Sequence, residues 1–212
     1  MKITQRLPLL VAAAVLAGCS ASGSATPQGT DNPDVAASAP IPGVTLPADA
    51  LRDLVVRPDE VPAGMVPVLK GSGPRDAHVV AGYSGTGAAA AAAEARLHSH
   101  GFVSAYVGQY ANPTTGQILS MLASRFATAA GAAADFADDI KGNQGKTVAG
   151  PTIGEQSAVT VQAVPGSPAS ELVLVRFRRG TTTWSLAYKA RTPADAALPI
   201  ALARTVLTRT PA

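Results

Sequence analysis

The chain has 212 residues, 17 Lys and Arg against 14 Asp and Glu, 15% charged residues and a single cysteine. So small a charge excess gives no general attraction for nucleic acid, and one cysteine excludes an internal disulfide and a cysteine-built metal centre. The length is ample for one hydrophobic core, which must hold the fold without covalent help.

Residues 1–18 carry two cations, Lys2 and Arg6, and then an apolar run from Leu7 to Leu16 broken only by Pro8. A charged start, a short apolar run and small residues at the end predict a secretory signal peptide. The run is well short of the roughly 20 residues that a membrane-spanning helix needs. Leu16-Ala17-Gly18-Cys19 resembles the bacterial lipoprotein box. The resemblance implies cleavage before Cys19, acyl chains such as palmitate on its sulfur and on its amine, and Cys19 as the mature N-terminus. Each buried methylene contributes ~0.8 kcal/mol, and two or more chains anchor stably. The expected location is therefore the extracytoplasmic face of a cell membrane, held by lipid. Losing Lys2 and Arg6 with the signal leaves 15 cations against 14 anions, a net +1.

Residues 19–48 are rich in Ser, Ala, Gly, Thr and Pro and lack periodicity, which predicts a flexible tether. Its length places the following domain on the order of 30 Å from the membrane. A single domain is expected over residues 49–212. Leu51–Val56 reads as a short helix or strand, and Arg57–Gly64, with two prolines, as turns.

Three strand-to-helix units follow. His78–Tyr83 is a predicted strand, leading through Ser84-Gly85-Thr86-Gly87 into a helix over Ala88–His98. Ile118–Phe126 is a strand leading into a helix over Ala129–Ile140, with Thr128 placed to cap it. Thr183–Tyr188 is a strand leading through Thr192-Pro193 into a helix over Ala194–Arg209. Gly101 and Gly142 are the expected helix stops. The units are either a weak internal repeat or common punctuation. Phe102–Tyr110 and Gln117–Phe126 form a predicted hairpin around Asn112-Pro113-Thr114-Thr115-Gly116, and Leu172–Arg178 and Thr183–Tyr188 a second around Arg179-Gly180-Thr181. Val173, Val175 and Phe177 share one face of their strand, as do Trp184, Leu186 and Tyr188 of theirs, and Val159–Val164 is a third neighbour. The fold class that follows is α+β, an antiparallel sheet with two or three helices packed on one face.

Four groups are candidates for chemistry. Gly82-Tyr83-Ser84-Gly85-Thr86 is placed like a nucleophile elbow, but Thr86 stands where glycine is required, so a turn and cap is the reading. His98 and His100 are two apart, point in different directions on a helix, and read as C-terminal charges. Asp135, Asp138 and Asp139 share a helix face and read as solvated; Lys141 spoils any calcium loop there. Arg176, Arg178 and Arg179 are the one dense basic cluster, with Arg176 and Arg178 on the strand face opposite Val173, Val175 and Phe177. Forked guanidinium donors there could hold a carboxylate or phosphate; the alternative is protection of an edge strand. No nucleophile, base and orienting group can be assembled, so an enzyme is not expected. No metal or cofactor is expected either.

Val173-x-Val175-Arg176-Phe177-Arg178-Arg179-Gly180, the aromatic strand and Thr-Pro helix after it, and Pro151-x-Ile153-Gly154-Glu155 before it are similar to the C-terminal part of actinobacterial extracytoplasmic sensor-type domains. Abundant alanine and sparse charge fit such a source. The resemblance implies a non-catalytic ligand-binding or sensing domain of the cell envelope, with Arg176 and Arg178 as candidate ligand contacts in a groove between sheet and helices. The expected partners are the membrane, through acylated Cys19, and a small ligand or an envelope protein; no nucleic acid. The alternative is an interaction protein that supports a membrane assembly through a sheet edge, and the third reading is an envelope hydrolase.

Overall fold

The computed structural model describes residues 49–143 and 145–210. The signal peptide, Cys19 and the tether therefore lie outside the described residues.

Eight strands form one antiparallel sheet: β1 (Val66–Pro67), β2 (Gly73–Arg75), β3 (Phe102–Ala111), β4 (Ile118–Phe126), β5 (Lys146–Val148), β6 (Gln156–Val164), β7 (Ser167–Arg179) and β8 (Thr182–Arg191). Their order is β1-β3-β4-β8-β7-β6-β5, and β2 also pairs with β3. Both predicted hairpins stand, as β3–β4 and β7–β8, and β6 is the third neighbour of the second. The helices are α1 (Ala77–Gly82), α2 (Ala88–Ser99), α3 (Ala129–Lys141) and α4 (Ala197–Thr208).

Side chains alternate across the sheet, so register decides which face each one meets. Tyr106, Ala123, Trp184 and Phe177 form one cross-strand row, and Tyr110, Leu119, Tyr188 and Val173 another on the same face. This face is the main core. Residues 51–56, wound into a 3₁₀ turn at Arg52–Leu54, and α4, through Leu202, Ala203 and Val206, close over it. Trp184 stacks on Phe177 with ring centroids 4.9 Å apart. Two polar handles pin the N-terminal segment there: Trp184 Nε1 donates to the Leu54 carbonyl at 2.8 Å and the Tyr110 hydroxyl to the Val56 carbonyl at 2.5 Å. Burial pushes the Tyr110 hydroxyl well above its ordinary pKa.

The opposite face carries α1, α2 and α3, joined to the sheet by Val80, Ala93, Leu97, Ala105, Phe126 and Ala132. The antiparallel sheet with helices on one face is as expected, with α2 and α3 there; the third expected helix, α4, packs on the other face, and α1 takes its place.

Two element assignments are corrected. His78–Tyr83 is not a strand. Asp76 accepts from Val79 N at 2.8 Å and caps α1, whose Ala77, Val80 and Ala81 face inward at helical spacing. The last helix starts at Ala197, not Ala194. Residues 192–194 are strapped to β7 instead, with Thr192 N bonded to the Ala169 carbonyl and Ala194 N to Glu171 Oε2. Asp195 then accepts from Ala197 N. The Thr192–Pro193 bond is cis. The cap at Thr128 is as expected, accepting from Gly131 N at 3.0 Å, and Gly101 ends α2 with φ +74°.

Candidate functional site

Where α1 and α2 lean against one part of the sheet and α3 against another, a groove is left between them. Its floor is the helical face of β3, β4, β8 and β7. The register sets Gln109 opposite Ser120, Leu122 opposite Ser185, Ser124 opposite Thr183 and Ser185 opposite Arg176. Two hollows, of about 460 and about 310 Å³, share Tyr83, Leu122 and Ser185 and so form one continuous trough.

The larger hollow lies beside α1. Arg75 is held there in a fixed pose: Nε donates to the Tyr83 hydroxyl at 3.1 Å, and its two terminal nitrogens donate to the carbonyls of Pro74 and Gly71, each at 2.8 Å. Lys70, Asp76, Gln109, Ser120 and Ser185 complete its polar lining. Gln109 is 8% exposed. A Cβ on Gly71 would fall 1.7 Å from Gln109 Oε1, so the glycine is what lets that amide lie where it does.

The smaller hollow lies under α3. Arg176, 4% exposed, rises from its floor and lies against Asp139, an ion pair made by proximity without an aligned hydrogen bond at Nε. Asp135 accepts from the Thr183 hydroxyl at 3.3 Å. Burial, and then the charge of Asp139, push its carboxyl up to about 6, while the Thr183 bond and Arg96 pull the other way. Asp135 is therefore not part of a solvated face, as its spacing had suggested, while Asp138 and Asp139 remain partly exposed. The floor beneath α3 is polar at Arg176 and Thr183, and it draws Asp135 and Asp139 inward.

A pH dependence follows. A carboxyl with a raised native pKa makes the folded state bind more protons than the unfolded one between the two values, so stability falls as pH rises from about 4 to about 6. Asp135→Asn removes that loss. Its stability relative to the parent should climb across this window by at most about 3 kcal/mol and stay level above it, as read from urea midpoints at each pH. A flat difference would mean that Asp135 is solvated.

The arginine cluster is divided. Arg176 is in the groove. Arg178 lies in the next row, outside both hollows, with Nε on Gln156 Oε1 at 2.6 Å and a terminal nitrogen on Glu155 Oε2 at 2.5 Å. Arg179 donates to the carbonyls of Leu207 and Thr210 and so closes the end of α4. Protection of an edge strand does not explain the cluster, because β7 lies between β6 and β8.

The histidines diverge as expected from their spacing. His98 Nε2 is 3.9 Å from Glu94, while His100 Nε2 is 3.6 Å from Asp138 on α3. His78, which carried no expectation, meets the other oxygen of Glu94 at 2.9 Å, and that hydrogen bond raises its pKa. Ser84 is exposed at the turn after α1 and its hydroxyl has no hydrogen-bond partner among the described residues, so no elbow forms. Among the described residues no set of three His, Cys, Asp or Glu is placed to hold a metal.

Sequence reasoning missed Arg75, Tyr83, Gln109, Ser120 and Ser185. Their one signal was a row of polar side chains at alternate positions on strands whose face the helices were expected to cover.

The fold and groove define an α+β domain with an open trough on its helical face. In solved structures this architecture is similar to the extracellular domain of PknH from Mycobacterium tuberculosis, with a TM-score of 0.52 at 11% identity over 74% of this chain and 94% of that one. At this identity the likeness concerns the fold. The sequence matches no protein-family model and no curated protein.

Proposed function

We propose that this chain is an extracytoplasmic lipoprotein, anchored through acylated Cys19, whose domain binds a ligand in the trough without transforming it. The observation that carries the reading is the trough itself: an open, continuous cleft whose floor holds a buried arginine and unspent polar groups. Concave sites with a few convergent polar groups are the usual seats of small ligands. The likeness in fold to the extracellular domain of PknH supports an extracytoplasmic setting. Within the reading, Arg176 is the candidate contact on the floor of the smaller hollow, beside Ser185. Arg178, whose donors are engaged by Glu155 and Gln156, ties the start of β6 to β7.

Two measurements test it. Cys19→Ala should move the protein from the membrane fraction to the soluble fraction with the domain still folded; retention in the membrane would remove the anchor from the account. Thermal unfolding of the unlipidated Cys19→Ala chain against envelope lipids, sugars, peptides and metals should reveal a ligand that raises the midpoint, since a native-state ligand at a hundredfold excess over its Kd adds ~2.7 kcal/mol. The shift should shrink in Arg176→Gln. No shift across the panel would favour the protein-partner alternative.

A further inference from the structure

Gln109 is more than nine-tenths buried, lines the larger hollow, and its side-chain amide has no hydrogen-bond partner among the described residues. Ser120 and Ser185 line the same hollow with equally unspent hydroxyls, and Ser124 adds a third in the smaller one. Polar groups on alternate residues of a strand repeat at about 7 Å, and neighbouring strands lie about 5 Å apart. The floor thus sets neutral donors and acceptors at Gln109, Ser120 and Ser185 among the apolar side chains of Val107, Leu122 and Ala187, with the half-buried Tyr83 ring along its wall. A primary amide offers two donors and one acceptor, and a hydroxyl offers both kinds.

The trough holds charges of both signs, and two of its arginines are already engaged by the protein. Arg75 is bonded to Tyr83 and two carbonyls, and Arg176 lies against Asp139. An anionic ligand would find one cation in each hollow, Lys70 and Arg96, without a bonded partner among the described residues, and would face Asp76 in the larger hollow and Asp135, Asp138 and Asp139 in the smaller. An acyl chain would cover Gln109 and the serines without bonding them, and each stranded polar group costs about 1–3 kcal/mol. From this pattern we propose that the trough takes a neutral, polyhydroxylated ligand: an oligosaccharide lying along β4 and β8, with its hydroxyls on Gln109, Ser120 and Ser185 and an apolar sugar face against Tyr83. The proposal rests on the trough being the binding site and specifies what it binds.

The test uses the full Cys19→Ala chain on an array of neutral gluco-, galacto-, manno- and arabino-oligosaccharides, followed by calorimetry with the best binder. Inositol hexakisphosphate and palmitate serve as the anionic and apolar contrasts. At least one neutral oligosaccharide should bind, insensitively to added salt. Gln109→Ala and Ser185→Ala should each weaken it about fivefold or more. Gly71→Ala, which keeps every polar group but displaces the Gln109 amide, should weaken it as well, and melting curves of the variants check that all remain folded. Absence of binding to every neutral oligosaccharide overturns the proposal, as does binding that the three variants leave unchanged. If inositol hexakisphosphate or palmitate binds instead and the trough variants alter it, the binding-domain reading survives and the oligosaccharide assignment fails. If all three classes fail, both fall.

Discussion

Replacing Trp184 by alanine is expected to lower the stability of the domain by about 4 kcal/mol, within the range for emptying a large aromatic site. In a domain of this size that corresponds to a fall in Tm of roughly 8–16 °C. Three losses coincide. The indole leaves a fully packed row between Ala123 and Phe177, the parallel stack at 4.9 Å disappears, and the Leu54 carbonyl loses its donor. The last loss matters beyond its size, because residues 51–56 cover the core face from outside the sheet and are tied to it by two such side-chain bonds. Tyr110→Phe, which keeps the ring and removes only the hydroxyl bond to Val56, should cost about 1 kcal/mol. A Trp184→Ala variant that melts within a few degrees of the parent would mean that the N-terminal segment is not packed where it is described.

The second large effect concerns Gly131, on the first turn of α3. In most helix interiors glycine to alanine stabilises, by as much as about 1 kcal/mol. Here the sign should reverse. A Cβ at this position would fall 1.9 Å from the His100 carbonyl oxygen, a backbone atom that cannot swing aside, and 3.3 Å from the capping Thr128 hydroxyl. Overpacking of this kind costs about 1–3 kcal/mol, enough to outweigh the gain in propensity. The strain is relieved only if α3 moves away from the turn that ends α2. That motion would shift Asp135 and Asp139 relative to Arg176, and with them one wall of the trough. Gly131→Ala should therefore both destabilise the domain, as read in urea, and raise the Kd of whatever the trough binds. A stabilised variant would show that α3 and the His100 turn are not in close contact.

The two variants probe opposite faces of one sheet, and the faces differ in how far they could be read from the chain. On the core face the alternate placing of Val173, Val175 and Phe177, with Arg176 and Arg178 on the other side of the strand, and of Trp184, Leu186 and Tyr188 with smaller residues between, set strand, face and partner together. Local chemistry sufficed because one side of each strand had to be buried. The Thr128 cap and the Gly101 stop were legible for the same reason, each satisfying its own neighbours' backbone groups. His78–Tyr83 was misread as a strand because a short apolar run has no period to distinguish the two states. The deciding residue, Asp76, stood just before it.

On the helical face the sequence was nearly silent. Nothing local distinguishes Asp135 and Asp139 from a solvated acidic pair; a polar floor three strands wide beneath α3 turns them inward. Arg176 and Arg178 are equivalent by alternation, yet one lies in the trough and the other is held by Glu155 and Gln156, residues brought alongside by the β6–β7 pairing. Gln109, Ser120 and Ser185 come from three strands and converge only through their register. The chain alone determined an α+β antiparallel sheet and carried the N-terminal pattern on which the anchor is proposed, because periodicity, caps and a terminal motif are local properties. Tertiary structure alone decided where the trough lies and which polar groups remain unspent within it, because both depend on contacts between residues far apart in sequence.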